Sequence, residues 1–107
     1  PAYDELILVA NRDSLNKPAI KKFLIALKQG NDYLQAHPEE SWRAFAKLHS
    51  ELNTGLNRQA WVKTLPLFAR DPARLDRQRY RQYETFLFNH GLIKKITPVN
   101  DYVVEIQ

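Results

Sequence analysis

Apolar positions along the chain fall into two kinds of pattern. The first is one short continuous run. Tyr3-Asp4-Glu5-Leu6-Ile7-Leu8-Val9-Ala10 opens with mixed polarity and closes fully apolar. A brief stretch rich in Leu, Ile and Val predicts a strand buried on both faces, as in a parallel sheet. Asn11-Arg12-Asp13-Ser14 follows as a turn cluster. A strand needs a neighbour, and no comparably strong one follows. The expectation is a chain that begins in the middle of a larger fold. An orphan strand at Tyr3–Ala10 would also expose edge groups, which predicts self-association or strand exchange through it.

The second pattern is helical and recurs four times. Pro18 suits a first helical turn, and Ile20, Phe23, Leu24, Leu27 and Leu34 then share one stripe. Gly30 interrupts that helix with a residue suited to a bend or a close helix contact. His37-Pro38 ends it. Pro38, Glu39 and Glu40 begin the next helix, where carboxylates favour the positive helix end. Trp42, Phe45 and Leu48 or His49 continue one face, and Asn53-Thr54-Gly55 reads as the stop.

Asn57 then reads as the cap of a third helix carrying Trp61, Leu65 and Phe68, ended or kinked by Pro66. Asp71-Pro72 reads as a cap and restart. Asp76 to His90 is the last long helix, with Tyr80, Tyr83 and Leu87 on one side and Gly91 as its left-handed cap. The tail, 92–98 and 101–106, reads as a short strand or as an irregular segment docked on the helices. The expected class is therefore mainly α, with one N-terminal β-strand and a C-terminal stretch open between strand and irregular chain, in a single partial domain over residues 1–107.

Composition narrows this picture a little. The chain has 107 residues, 44% of them hydrophobic and 26% charged, as in an ordinary globular domain. It has no cysteine, so neither a disulfide nor a cysteine zinc site can form. The longest apolar run, Leu6–Ala10, is far below the ~20 residues of a membrane span. Pro1 to Glu5 shows no basic stretch leading into an apolar one, so no signal peptide is expected in this chain. The net charge of +4 weakly favours acidic partners, but acids and bases are interleaved throughout.

Candidate chemistry is sparse. His37, His49 and His90 lack the i, i+4 pairing of a helical zinc site, and His37 and His90 suit helix ends near terminal carbonyls. Ser14, Ser41 and Ser50 lie in no nucleophile motif. Three glycines cannot build a phosphate-cradling loop. Glu39 and Glu40 are explained by the helix start. The sequence therefore assigns no catalytic residue, no metal ligand and no cofactor. Arg77-Gln78-Arg79-Tyr80-Arg81-Gln82-Tyr83 is the best case for nucleic acid. Helical spacing instead predicts a packed tyrosine stripe with a solvated arginine face, and no nucleic-acid partner. Trp42, Trp61 and Tyr3 are flat rings suited either to a core or to an aromatic ligand, with Trp42 read as core.

Taken together, several segments resemble a known family. Tyr3-Asp4-Glu5-Leu6-Ile7-Leu8-Val9-Ala10-Asn11 resembles a strand that re-enters the first lobe of substrate-binding proteins for pyrimidine precursors of thiamine. Gln59-Ala60-Trp61 with Thr64-Leu65-Pro66, Tyr83-Glu84-Thr85-Phe86-Leu87, Gly91-Leu92-Ile93 and Pro98-Val99-Asn100-Asp101-Tyr102 agree in order. That family holds bacterial transport proteins and fungal pyrimidine synthases of one fold. The resemblance spans nearly the whole chain but only the last third of a full member.

It implies a fragment of a type II periplasmic-binding α/β fold, two lobes closing on a ligand. It also implies a small pyrimidine ligand, an ABC transporter permease as partner and a periplasmic or extracytoplasmic location for the full-length protein. Tyr3 would lie near hinge and cleft, making it the first ligand-contact candidate, with Trp61 second. The fungal synthases use a histidine and a cysteine-rich motif, so a cysteine-free segment leans towards transport. A pyrimidine synthase and a small helical nucleic-acid or protein interaction domain stand as alternatives.

Overall fold

The computed structural model of the chain describes residues 1–106. Four α-helices carry it: α1 Pro18–Ala36, α2 Pro38–Leu48, α3 Gly55–Thr64 and α4 Arg77–Asn89. Short 3-10 turns lie at Arg12–Ser14, Ser50–Leu52, Leu65–Leu67 and Val99–Asp101. The prolines fall where their missing N–H costs nothing: Pro18 opens α1 and Pro38 opens α2. Pro66 lies in the 3-10 turn after α3.

The expected N-terminal strand is absent, and so is any C-terminal one. Among the described residues there is no strand at all. The α/β fold implied by the resemblance is therefore not what this chain forms; the fold is helical. The physical reason is that an apolar run is necessary for a buried strand but does not supply its ladder. No backbone–backbone hydrogen bond among the described residues involves positions 1–10. Leu6 is 89% exposed and Val9 85%. The strand proposed to carry self-association is thus not formed.

Three local expectations also change. The residue that caps α3 is Thr54, not Asn57: its hydroxyl accepts the Asn57 backbone N–H at 3.2 Å. Asp71-Pro72 opens no helix. Asp76 does so instead, its carboxylate accepting the Arg79 backbone N–H at 3.1 Å. Finally, α1 runs through Gly30, and a Cβ built there would meet nothing within 4 Å. Gly91, by contrast, has φ +69, the left-handed conformation expected just beyond α4.

The chain forms two compact units, and α1 passes from one into the other. Residues 22–72 hold most of α1 with α2 and α3. Their core is Trp42, Ala46 and Leu65. Trp42 meets Trp61 edge-on at 5.5 Å between ring centroids, and Phe45 lies 5.4 Å from Trp61. The Gln35 side-chain amide donates to the Leu65 carbonyl at 2.6 Å, and that of Asn31 to the Ala69 carbonyl at 2.7 Å. These two bonds tie the end of α1 to the irregular chain after α3.

The second unit comprises residues 1–21 with those from 73 onward. Its frame is α4. Val99 is its buried apolar residue, and Glu84, on α4, is a buried acid. Glu84 accepts the backbone N–H of Thr97 and the phenol of Tyr102, the latter at 3.2 Å. One buried acid thus binds the C-terminal tail to α4.

Two stability outcomes follow. Gly30→Ala should raise the free energy of unfolding by about 0.5–1 kcal/mol, because Ala fits the open site and restricts the unfolded chain. Glu84→Ala should lower it by about 1–3 kcal/mol, since two donors lose their acceptor. Urea titration of both variants measures the two shifts.

Candidate functional site

The site is built from α4 outward, within the unit that contains both Tyr3 and Tyr83. Asp76 and Gly91 fix the two ends of the helix. Residues 79 and 83 are one helical turn apart, so their side chains lie on one face. Both receive the N-terminal segment. The Tyr3 ring stacks on Tyr83 with centroids 4.8 Å apart and planes at 14°. The next residue, Asp4, accepts from the Arg79 guanidinium at 2.8 Å.

The aromatic run continues along α4. Tyr83 stacks against Phe86 at 6.1 Å, and Phe86 lies 4.2 Å from the His90 ring. His90 Nδ1 sits 2.8 Å from the Phe86 carbonyl, the helix-end contact expected of it. Tyr3 stays 50% exposed although Tyr83 stacks on it. It therefore keeps surface on which another flat ring could stack.

Charge around the stack is paired. Arg77 bonds Asn100 through Nε at 2.9 Å and lies 3.4 Å from the Glu105 carboxylate. Arg79 is raised above its ordinary value by its hydrogen bond and attraction to Asp4. Burial, then the hydrogen bond to Asp4, raises the Tyr80 phenol. Burial, then the charge of Glu84 and the hydrogen bond to it, raises Tyr102. Arginines 77 and 79 are thus engaged by side chains of their own unit.

Trp61, the second sequence candidate, belongs to the other unit. It lines a shallow cleft of about 260 Å³ with Trp42, Phe45, Leu65 and Phe68. That is below the ~300 Å³ at which ligand pockets usually begin. Its indole N–H donates to the Pro38 carbonyl at 3.3 Å. Its geometry is that of a ring closing the edge of a core. Among the described residues no group of three or more His, Cys, Asp or Glu could hold a metal, and no helix is long and apolar enough to cross a membrane.

Sequence reasoning singled out Tyr3 and the 77–83 stretch separately. It missed that Asp4, Arg79 and Tyr83 join them. The available signal was the one-turn spacing of Arg79 and Tyr83 against the adjacent pair Tyr3-Asp4. The partners are 75 positions apart in the case of Asp4 and Arg79, beyond the reach of periodicity.

Residues 1–41 match the model of the family described as NMT1/THI5 like. Along its whole length the chain is 50% identical to a thiamine biosynthesis protein of Haemophilus influenzae, of which it spans 34%. Over 54 residues, half of the chain, it is 35% identical to the 4-amino-5-hydroxymethyl-2-methylpyrimidine phosphate synthase of Candida albicans, of which that stretch is 16%. No solved structure matches it. The chain is thus similar to proteins named for thiamine biosynthesis and for synthesis of a pyrimidine phosphate, and it spans about a third or less of their length.

The raised phenols give a pH outcome. A group whose folded pKa lies above its unfolded value stabilises fully below the unfolded value, 10.0 for tyrosine, and loses that contribution as pH climbs through the folded one. The melting temperature should therefore fall above about pH 10. Thermal melts of Tyr102→Phe should show a shallower fall than those of the wild type.

Proposed function

We propose that this chain is part of a protein that captures a pyrimidine precursor of thiamine and delivers it to an ABC transporter outside the cytoplasm, with Tyr3 as a ligand contact. The observation that carries the reading is the 50% identity to the Haemophilus influenzae thiamine biosynthesis protein, held across the entire chain. The family match covers residues 1–41 and so includes Tyr3.

The chemistry of the site agrees with the ligand. An aminopyrimidine is a small planar ring whose faces stack on aromatic side chains. Tyr3 is held flat against Tyr83 and is half exposed. A ligand ring on its open surface would extend an existing stack. Trp61 is the weaker candidate, because its N–H meets the Pro38 carbonyl and its ring packs against Trp42 and Phe45 in its own unit.

A second reading is favoured by one observation. The Candida albicans protein aligned over half of this chain is named as a pyrimidine phosphate synthase. On that reading the full-length protein makes the precursor instead of carrying it.

Calorimetric titration of the full-length protein with 4-amino-5-hydroxymethyl-2-methylpyrimidine, the ring system in that synthase's name, tests the proposal. Saturable binding of unmodified ligand is expected. Tyr3→Ala should weaken it about tenfold, the weight of one lost ring stack. Absence of binding would sink the ligand assignment, and formation of a pyrimidine phosphate by the purified protein would replace transport with synthesis.

A further inference from the structure

We infer that Arg79 is a positioning residue: through Asp4 it holds Tyr3 flat on Tyr83 and so sets the ring against which a ligand stacks. The inference rests on the reading of Tyr3 as a ligand contact. It gives a role to the basic-aromatic stretch 77–83 that is neither nucleic-acid binding nor a passive solvated face.

Among the described residues, positions 1–10 make no backbone–backbone hydrogen bond, and Leu6 to Val9 remain exposed. An extended segment without ladder bonds keeps most of its conformational freedom. Tyr3 on such a segment would sample many orientations, and a ligand would have to order it at the cost of affinity. Two neighbouring side chains remove that freedom here. Tyr3 is fixed by its stack on Tyr83 and Asp4 by its charged bond to Arg79, with the Tyr80 phenol as a second, neutral donor to the same carboxylate.

The two anchor points are matched to each other. Arg79 and Tyr83 are four residues apart on a helix, hence on one face. Tyr3 and Asp4, adjacent in the chain, both reach that face. A ring contact alone would let the segment pivot about Tyr3, and the charged bond at the next residue stops that pivot. The helix beneath is itself fixed by the Asp76 cap and by Glu84. Arg79 donates to Asp4 through its side chain, whereas only its backbone N–H meets Asp76, so changing the side chain leaves the cap in place.

The test uses the full-length protein, four single variants and one double variant. In the ligand-free state, Tyr3 ring protons should show the upfield NMR shift of a stacked ring. Arg79→Ala should remove much of that shift, because the neutral Tyr80 donor alone holds Asp4 less firmly, while Arg79→Lys restores part of it and the control Arg81→Ala leaves it unchanged. Affinity for 4-amino-5-hydroxymethyl-2-methylpyrimidine should fall about five- to tenfold in Arg79→Ala, with an unchanged melting temperature within a degree or so. Combining Arg79→Ala with Tyr3→Ala should cost no more than Tyr3→Ala alone.

A retained ring shift in Arg79→Ala overturns the inference whatever the ligand does. So does wild-type affinity in Arg79→Ala when Tyr3→Ala binds weakly. Wild-type affinity in Tyr3→Ala overturns the ligand contact itself, and with it the functional half of the inference, while the ring shift still decides whether Arg79 holds Tyr3.

Discussion

In the unit built on α4, a carboxylate taken out of water decides where the tail goes. Glu84 is buried to 9% exposure and accepts from Thr97 and Tyr102. A buried acid without donors would cost several kcal/mol, so its burial is tolerable only because the tail brings donors to it. The same two bonds therefore satisfy the helix and bind the chain that follows it. Val99 is buried between those two donors in sequence, and Glu105 adds a third attachment by accepting the Leu75 backbone N–H at 2.9 Å.

With the tail held, α4 becomes a rigid bar on which the N-terminal segment is laid. Its opposite attachments differ in kind. The tail is held by a buried acid, the N-terminal segment by a ring stack and a partly exposed ion pair. Exposed pairs are weak on their own, at about 0–1 kcal/mol, and a stacked ring pair adds about 0.5–1.5 kcal/mol. The N-terminal segment is thus the more easily released of the two.

The unit of residues 22–72 follows a different logic. Its cohesion comes from three rings, Trp42, Phe45 and Trp61, and from amides of α1 that satisfy carbonyls after α3. Arg58 reaches both oxygens of Glu39 through one nitrogen, at 2.6 and 2.8 Å, on the surface of the same helices. Trp42 is 5% exposed, and Trp61 packs against it and Phe45 with its N–H on the Pro38 carbonyl. That is why a tryptophan on an apolar stripe, in principle a ligand wall, serves here as core.

The sequence by itself determined the helices and their punctuation. Pro18, Pro38, Gly91 and the 3.6-residue stripes act within a few residues, so their effects are written locally: α1, α2 and α4 stand where the pattern puts them, and Trp42 is core. It also carried the likeness to thiamine-precursor proteins in Tyr3–Asn11. The structure decided what depends on distant partners. Leu6–Ala10 is apolar enough for a strand, but ladder bonds must come from another segment, and none among the described residues supplies them. Thr54 and Asp76 took the caps because their oxygens meet the free N–H groups that open α3 and α4. Tyr3 and the arginine-tyrosine stretch looked like separate features in sequence, because stacking and ion pairing act through space and leave no mark at helical or strand period.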